Sequence, residues 1–178
     1  RASKSPKVGA EVLLEDKDSF RSATVNCSNI VFPSNEDVLK SKYGKSGFNA
    51  CFEKVGEGTG IRSLKYKPVR DFDFDNFVSS IGDYSGKIET ILDNIKKSTG
   101  VVFIYSRFVW SGIIPIAFCL EKLGFSRYGS GGNLLTGITP SKDFKIKNVD
   151  TPRYIVITGE SAFDSESIYK QYLDIEKD

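Results

Sequence analysis

Gly100–Gly124 reads GVVFIYSRFVWSGIIPIAFCLEKLG. Its opening, Val101-Val102-Phe103-Ile104-Tyr105, is apolar, β-branched and aromatic. Such a run is too short for a helix and unbroken enough for a strand buried on both faces. Ser106-Arg107-Phe108 makes a polar tip at the strand's carboxyl end. Ser111 and Gly112 then lead into a helical pattern, with Ile113, Ile116, Ala117, Leu120 and Leu123 at three- and four-residue spacing. Pro115 fits only the opening turns, and Gly124 supplies a left-handed stop. Strand, tip and helix make half of a βαβ unit, and ligands of open parallel sheets bind where such tips emerge.

Upstream, Ile88, Ile91, Leu92 and Ile95 fall at i, i+3, i+4 and i+7, the clearest amphipathic helix of the chain, with Ser85 as its N-cap. Asp71–Ile81 places Phe72, Phe74, Phe77, Val78 and Ile81 toward one side, which suits a short packed helix. Thr24–Phe32 reads as extended and stops at Pro33; Asn35–Lys42 suits one or two helical turns. Lys42–Lys67 reads as loop, with Gly44, Gly47, Gly56, Gly58 and Gly60 closely spaced. Arg1–Arg21 is polar, apart from Val12-Leu13-Leu14, which suits a short strand. Downstream, Phe125–Pro152 is a long Gly/Ser/Lys-bearing excursion, Arg153–Gly159 a second buried strand, and Ser165–Ile175 an acidic closing helix. The cadence predicts an α/β fold with a mostly parallel sheet flanked by helices.

The 178 residues hold 39% hydrophobic and 27% charged side chains, so a core can form. A net charge of +2 hides a local bias: Arg107–Arg153 carries seven basic residues against three acidic, and Glu160–Asp178 six acidic against two basic. A polyanion would prefer the first surface. The absence of His excludes Ser-His-Asp, Cys-His and His-ligated metal chemistry. Cys27, Cys51 and Cys119 have no metal-like spacing and read as free thiols, a Cys27–Cys51 pair being the alternative. Neither a signal peptide nor a stretch of membrane-spanning length is visible. The lack of Met, even at position 1, gives the chain the look of a piece of something longer.

Glycine patterns do not add up to a nucleotide loop. Gly44-Lys45-Ser46 would need a Gly at Leu39, and Gly86-Lys87 one at Ile81; neither follows a hydrophobic strand. The tip is the better site. There the Ser106 hydroxyl and the Arg107 guanidinium can reach a phosphate while Phe108 packs beneath or stacks on a base. The alternative is Arg107 paired with a carboxylate and Phe108 in the core. Trp110 is either a lid over the helix or an exposed contact.

The run VVFIYSRFVWSGIIPIAFCLEKLGF resembles motif IV and its following helix in the second RecA-like lobe of superfamily 2 helicases. Tyr105, Ser106 and Phe108 match the wider superfamily. Ser111–Pro115 and Leu120-Glu121-x-x-Gly124-Phe125 resemble more narrowly the Swi/Snf-like, poxvirus-type early-transcription ATPases of nucleocytoplasmic large DNA viruses. Arg127-Tyr128 and the strand ending at Thr158-Gly159 fit the next conserved segment. Ser28–Pro33 resembles the segment crossing between lobes, and Tyr84-Ser85-x-Lys87-Ile88 the opening helix of the second lobe.

The resemblance implies residues 1–80 as an inter-lobe crossing segment with a glycine-rich loop region, and residues 81–178 as the N-terminal part of a partial RecA-like C-terminal lobe. It implies a nucleic-acid-dependent ATPase or helicase, viral and acting in transcription, with viral transcription machinery as a further partner. Ser106, Arg107 and Phe108, joined by Thr158 and Gly159 at a second strand tip, would hold a DNA or RNA backbone. ATP and Mg²⁺ would bind mainly outside this chain, leaving it no catalytic or metal-ligating residue and no ATP hydrolysis of its own. The implied setting is a viral factory, the virion or the nucleus, with no membrane and no secretion. The competing classes are a non-enzymatic α/β module gripping nucleic acid or a protein, and a sugar- or nucleotide-processing α/β enzyme with its site in the flanks.

Overall fold

Ser85 decides where the longest helix among the described residues begins. In the computed structural model, which describes residues 20–34, 42–55, 65–129, 131–141 and 152–157, its hydroxyl accepts from the Ile88 N–H at 3.0 Å and caps the helix Gly86–Lys97. That helix (α5) buries Ile88, Leu92 and Ile95 and ends with Lys96 and Lys97, cations that suit the negative end of its dipole. The same Ser85 hydroxyl donates to the Asn29 carbonyl and so ties α5 to the end of the first described helix (α1, Phe20–Asn29). Lys87 Nζ adds bonds to Ser28 Oγ at 3.1 Å and Asn29 Oδ1 at 3.0 Å. Helix therefore occupies most of the Thr24–Phe32 stretch expected to be extended; only Ile30–Phe32 leaves it, with Ile30 and Phe32 almost fully buried.

The expected loop from Lys42 also carries regular structure. Helix α2 (Gly44–Cys51) runs directly into β1 (Phe52–Val55), which pairs antiparallel with β2 (Lys65–Pro68), Phe52 opposite Pro68 and Val55 opposite Lys65. Gly47 is fixed by space. A Cβ there would stand 2.6 Å from the Lys42 carbonyl carbon and 2.8 Å from the Phe32 ring. Phe48, the next residue, is the hub of the core. Its ring lies 5.1 Å from those of Phe52 and Trp110, 5.3 Å from Tyr66 and 5.8 Å from Phe118. Separations of this size are those at which aromatic pairs add to plain burial. Trp110 is thus a core residue, with Lys45 Nζ 5.3 Å from its ring centroid.

The expected single helix after Asp71 is two. Asp73 accepts from Asn76 N at 2.9 Å and caps α3 (Phe74–Ser79); Ser80, at φ −111° and ψ 30°, breaks it from α4 (Ile81–Tyr84). Helix α6 (Ile114–Lys122) is entered through a π-helical turn, Val109–Ile113, and has Pro115 in its first turn. Gly124, at φ +93°, makes the left-handed stop. The chain then forms β3 (Ser126–Arg127), parallel to β4 (Arg153–Tyr154). One apolar cluster joins residues on both sides of position 80, from Ile30 through Phe48 and Phe118 to Val156.

Val101–Tyr105, the segment expected to be a doubly buried strand, has no regular secondary structure and lies outside. Val101 is 95% exposed, Phe103 87% and Tyr105 81%; Ile104 alone of the five packs on the core. Its backbone makes no ladder with any described residue. A β-prone sequence specifies extension, while burial needs a neighbour on each edge and cover on each face; the described residues provide neither. Arg153–Gly159 is likewise not buried throughout: Tyr154 and Val156 are, but Ile157 is 60% exposed. The chain is a mixed α/β fold with small sheets, one an antiparallel hairpin and one a two-residue parallel pair. The strand expected at Val12–Leu14, the turns at 35–41, the glycines at 56–60, Thr158, Gly159 and the closing acidic helix all lie outside the described residues. Among the described residues no helix is long and apolar enough to cross a membrane.

Candidate nucleic-acid interface

The polar tip lies on a groove of about 330 Å³. One wall is the α1–α5 junction, with Asn29, Lys87, Ile88 and Ile91; the other is the stretch from Ile104 to Phe108. Ser111 and Gly112 of the π-helical turn, with Ile116 of α6, close the end. Among the described residues the lining carries two cations, Lys87 and Arg107, and no acid.

Ser106 builds the turn that presents Arg107. Its hydroxyl accepts from Phe108 N and donates to Phe108 O, both at 3.1 Å, a local bond of the kind that sets tight turns. Gly112 makes room for it: a Cβ there would come within 2.3 Å of Ser106 Oγ. Phe108 O also accepts from Ile113 N at 3.1 Å, five residues on, which winds the π-helical turn. Such turns recur at functional sites. Ser111, 1% exposed, donates to Asn26 Oδ1 at 2.5 Å and so anchors this turn to α1.

Arg107 is exposed and makes no ion pair with any described residue. The carboxylate partner considered for it is therefore absent among the described residues. Phe108 is half-buried beside it, and Thr158 and Gly159 lie outside the described residues. The groove adds Lys87 and Asn29, which the sequence placed in other segments and did not join to the tip. They sit next to Arg107 only because α1 and α5 meet end to end, a contact between distant stretches of chain with no local pattern.

A second polar cluster is buried behind α6. Glu121, fully buried, accepts from Leu134 N at 2.5 Å, from Leu135 N at 2.7 Å and from the Tyr154 hydroxyl. Burial pushes its carboxyl above the ordinary value, while these three donors and the Lys65 charge pull against that rise. Lys65 donates to the carbonyls of Gly131 and Asn133, and burial lowers its pKa. This carboxylate pins the 131–136 loop and β4 to α6. Arg127 Nη1 nearby is buried without a hydrogen-bond partner.

The lysines of the two glycine–lysine pairs both have partners among the described residues. Lys45, in α2, sits over Trp110, and Lys87, in α5, is bonded to Ser28 and Asn29. No group of three or more His, Cys, Asp or Glu residues stands ready for a metal among them. All three cysteines are free. No family model, curated protein or solved structure matches the chain.

Proposed function

We propose that this chain is the strand-gripping part of a nucleic-acid-dependent ATPase of the superfamily 2 helicase type, viral and acting in transcription. In this reading it belongs to a second RecA-like lobe with a mostly parallel sheet flanked by helices. ATP and Mg²⁺ are held by other parts of the motor, and closure of the two lobes moves them along the strand. The observation that carries the reading is an exposed guanidinium, Arg107, on a groove; among the described residues it has no carboxylate partner, and the lining they form contains Lys87 and no acid. An arginine so placed suits the phosphate backbone, which fixes position without reading sequence. The resemblance of Val101–Phe125 to the viral branch supports the same role.

Fluorescence anisotropy of the 178-residue chain with labelled oligonucleotides over a salt series tests it. Affinity should fall linearly with the logarithm of salt as counterions are released. Arg107→Ala should weaken all sequences alike and reduce the slope by about one unit. Unchanged affinity and slope would make Arg107 a solvated surface residue and end the reading.

A further inference from the structure

We propose that the groove beside Arg107 takes one unstacked nucleobase of a single strand, with the adjoining phosphates on Arg107 and Lys87; this rests on the backbone grip proposed above. The lining divides into two chemistries. Ile88, Ile91, Ile104 and Phe108 give an apolar floor, while both charges that the described residues bring to the lining are positive. A bare phosphate has no use for the floor, and an apolar side chain or acyl chain has none for the cations. A nucleotide unit presents a flat apolar face and an anionic edge together. The volume, about 330 Å³, is at the small end of ligand pockets, which run from roughly 300 to 1,000 Å³. That is room for one unit and not for a stack of bases.

The two serine hydroxyls at the groove have already committed their protons. Ser106 donates to Phe108 O and Ser111 to Asn26 Oδ1, so neither has a proton left to give a base edge or a phosphate; the exposed Tyr105 also lines the groove. Grip therefore passes from Ser106 to Lys87, whose ammonium uses two of its three donors on Ser28 and Asn29 and keeps one for a phosphate oxygen. Recognition by an apolar floor is tolerant of sequence, as base stacking on side chains is. A base in a duplex is covered on both faces by its neighbours, so entry selects the unpaired strand.

The test uses the whole chain and three fluorescein-labelled probes: an oligothymidylate of about 20 nucleotides, the same strand with abasic sites, and the duplex. The abasic strand keeps the phosphates and loses only the bases. It should bind about 10-fold more weakly than the intact strand, and the duplex should also bind more weakly. Ile91→Gln, at a half-buried position on the floor, should bind intact and abasic strands alike. Thymidine monophosphate should compete only at concentrations far above those of the strand. Equal binding of intact and abasic strands by the unaltered chain, with Arg107→Ala still weakening both, would overturn the base pocket and leave the backbone grip standing. Indifference to Arg107→Ala would overturn the grip and the pocket with it. Monophosphate binding as tight as the strand's would make this a small-nucleotide site and overturn the single-strand assignment.

Discussion

Gly112→Ala puts a methyl group where the Ser106 hydroxyl now lies. The new Cβ would be 2.3 Å from Ser106 Oγ and 3.2 Å from Ser106 Cβ. Comfortable contacts between such atoms begin at about 3.5 Å, so the hydroxyl must retreat by roughly 1 Å. It cannot retreat freely, because both of its bonds to Phe108 are already at 3.1 Å. Overpacking costs about 1–3 kcal/mol and a lost hydrogen bond about 1 kcal/mol, which sets the single variant at about 2–4 kcal/mol. Ser106→Ala removes the bonds but not the fit, at about 1 kcal/mol. In the double variant the only remaining short contact is Cβ to Cβ, tight but yielding. Its cost should be about 1.5 kcal/mol below the sum of the singles. Any entropy gain from replacing glycine acts in both backgrounds and cancels in the cycle. Urea unfolding read by Trp110, the sole and buried tryptophan, supplies all three free energies. Additivity within about 0.5 kcal/mol would refute the interlock between Ser106 and Gly112.

Two further outcomes test the region behind α6 and the thiols. Glu121→Ala strands the N–H groups of Leu134 and Leu135 and the Tyr154 hydroxyl, and should destabilise by about 3 kcal/mol or more in urea melts. Burial raises the folded Glu121 carboxyl, so its contribution is full below the ordinary carboxylate value and is lost as pH rises through the raised one. The stability difference between wild type and Glu121→Gln should therefore shrink over that window; a constant difference would count against a titrating carboxyl. Cys51 and Cys119 are buried, with thiols pushed up to about 12, whereas Cys27 is half-buried. A disulfide reagent at mild alkaline pH should modify Cys27 first and the other two only after denaturant, and equal rates for all three would contradict the packing of α2 and α6.

Helix α5 was legible because its apolar period and its Ser85 cap are local, and both survive in any tertiary setting. The same holds for Pro115 in the first turn of α6 and for the Gly124 stop. Helix α1 was not legible: Thr24 and Val25 favour extension, and the helix is held by Ser85 and Lys87, nearly 60 positions away. The hairpin of β1 and β2 was hidden by the glycines around it. Its residues pack because Phe48 gathers rings from four other elements, which no window of sequence displays. At the groove, Arg107 and its tip could be read from their place after an apolar run. Lys87 and Asn29 could not, since they belong to the site through a tertiary junction. Glu121 offered no sign of burial, as its partners are two backbone amides and a tyrosine from other stretches.

The bare segment bears on how the molecule keeps company with its own kind. Natural edges carry a charge, a proline or a bulge against unwanted pairing. Ser98–Ser106 carries none of these, and its β-prone middle fits the profile of segments that seed aggregates. Encounters between such segments are second order in protein, so pairing through them should rise steeply with concentration. Lys96, Lys97 and Arg107 fence the two ends of the segment with like charge. Dilute buffer lets that repulsion hold copies apart; added salt shortens its reach to a few ångströms and removes the guard.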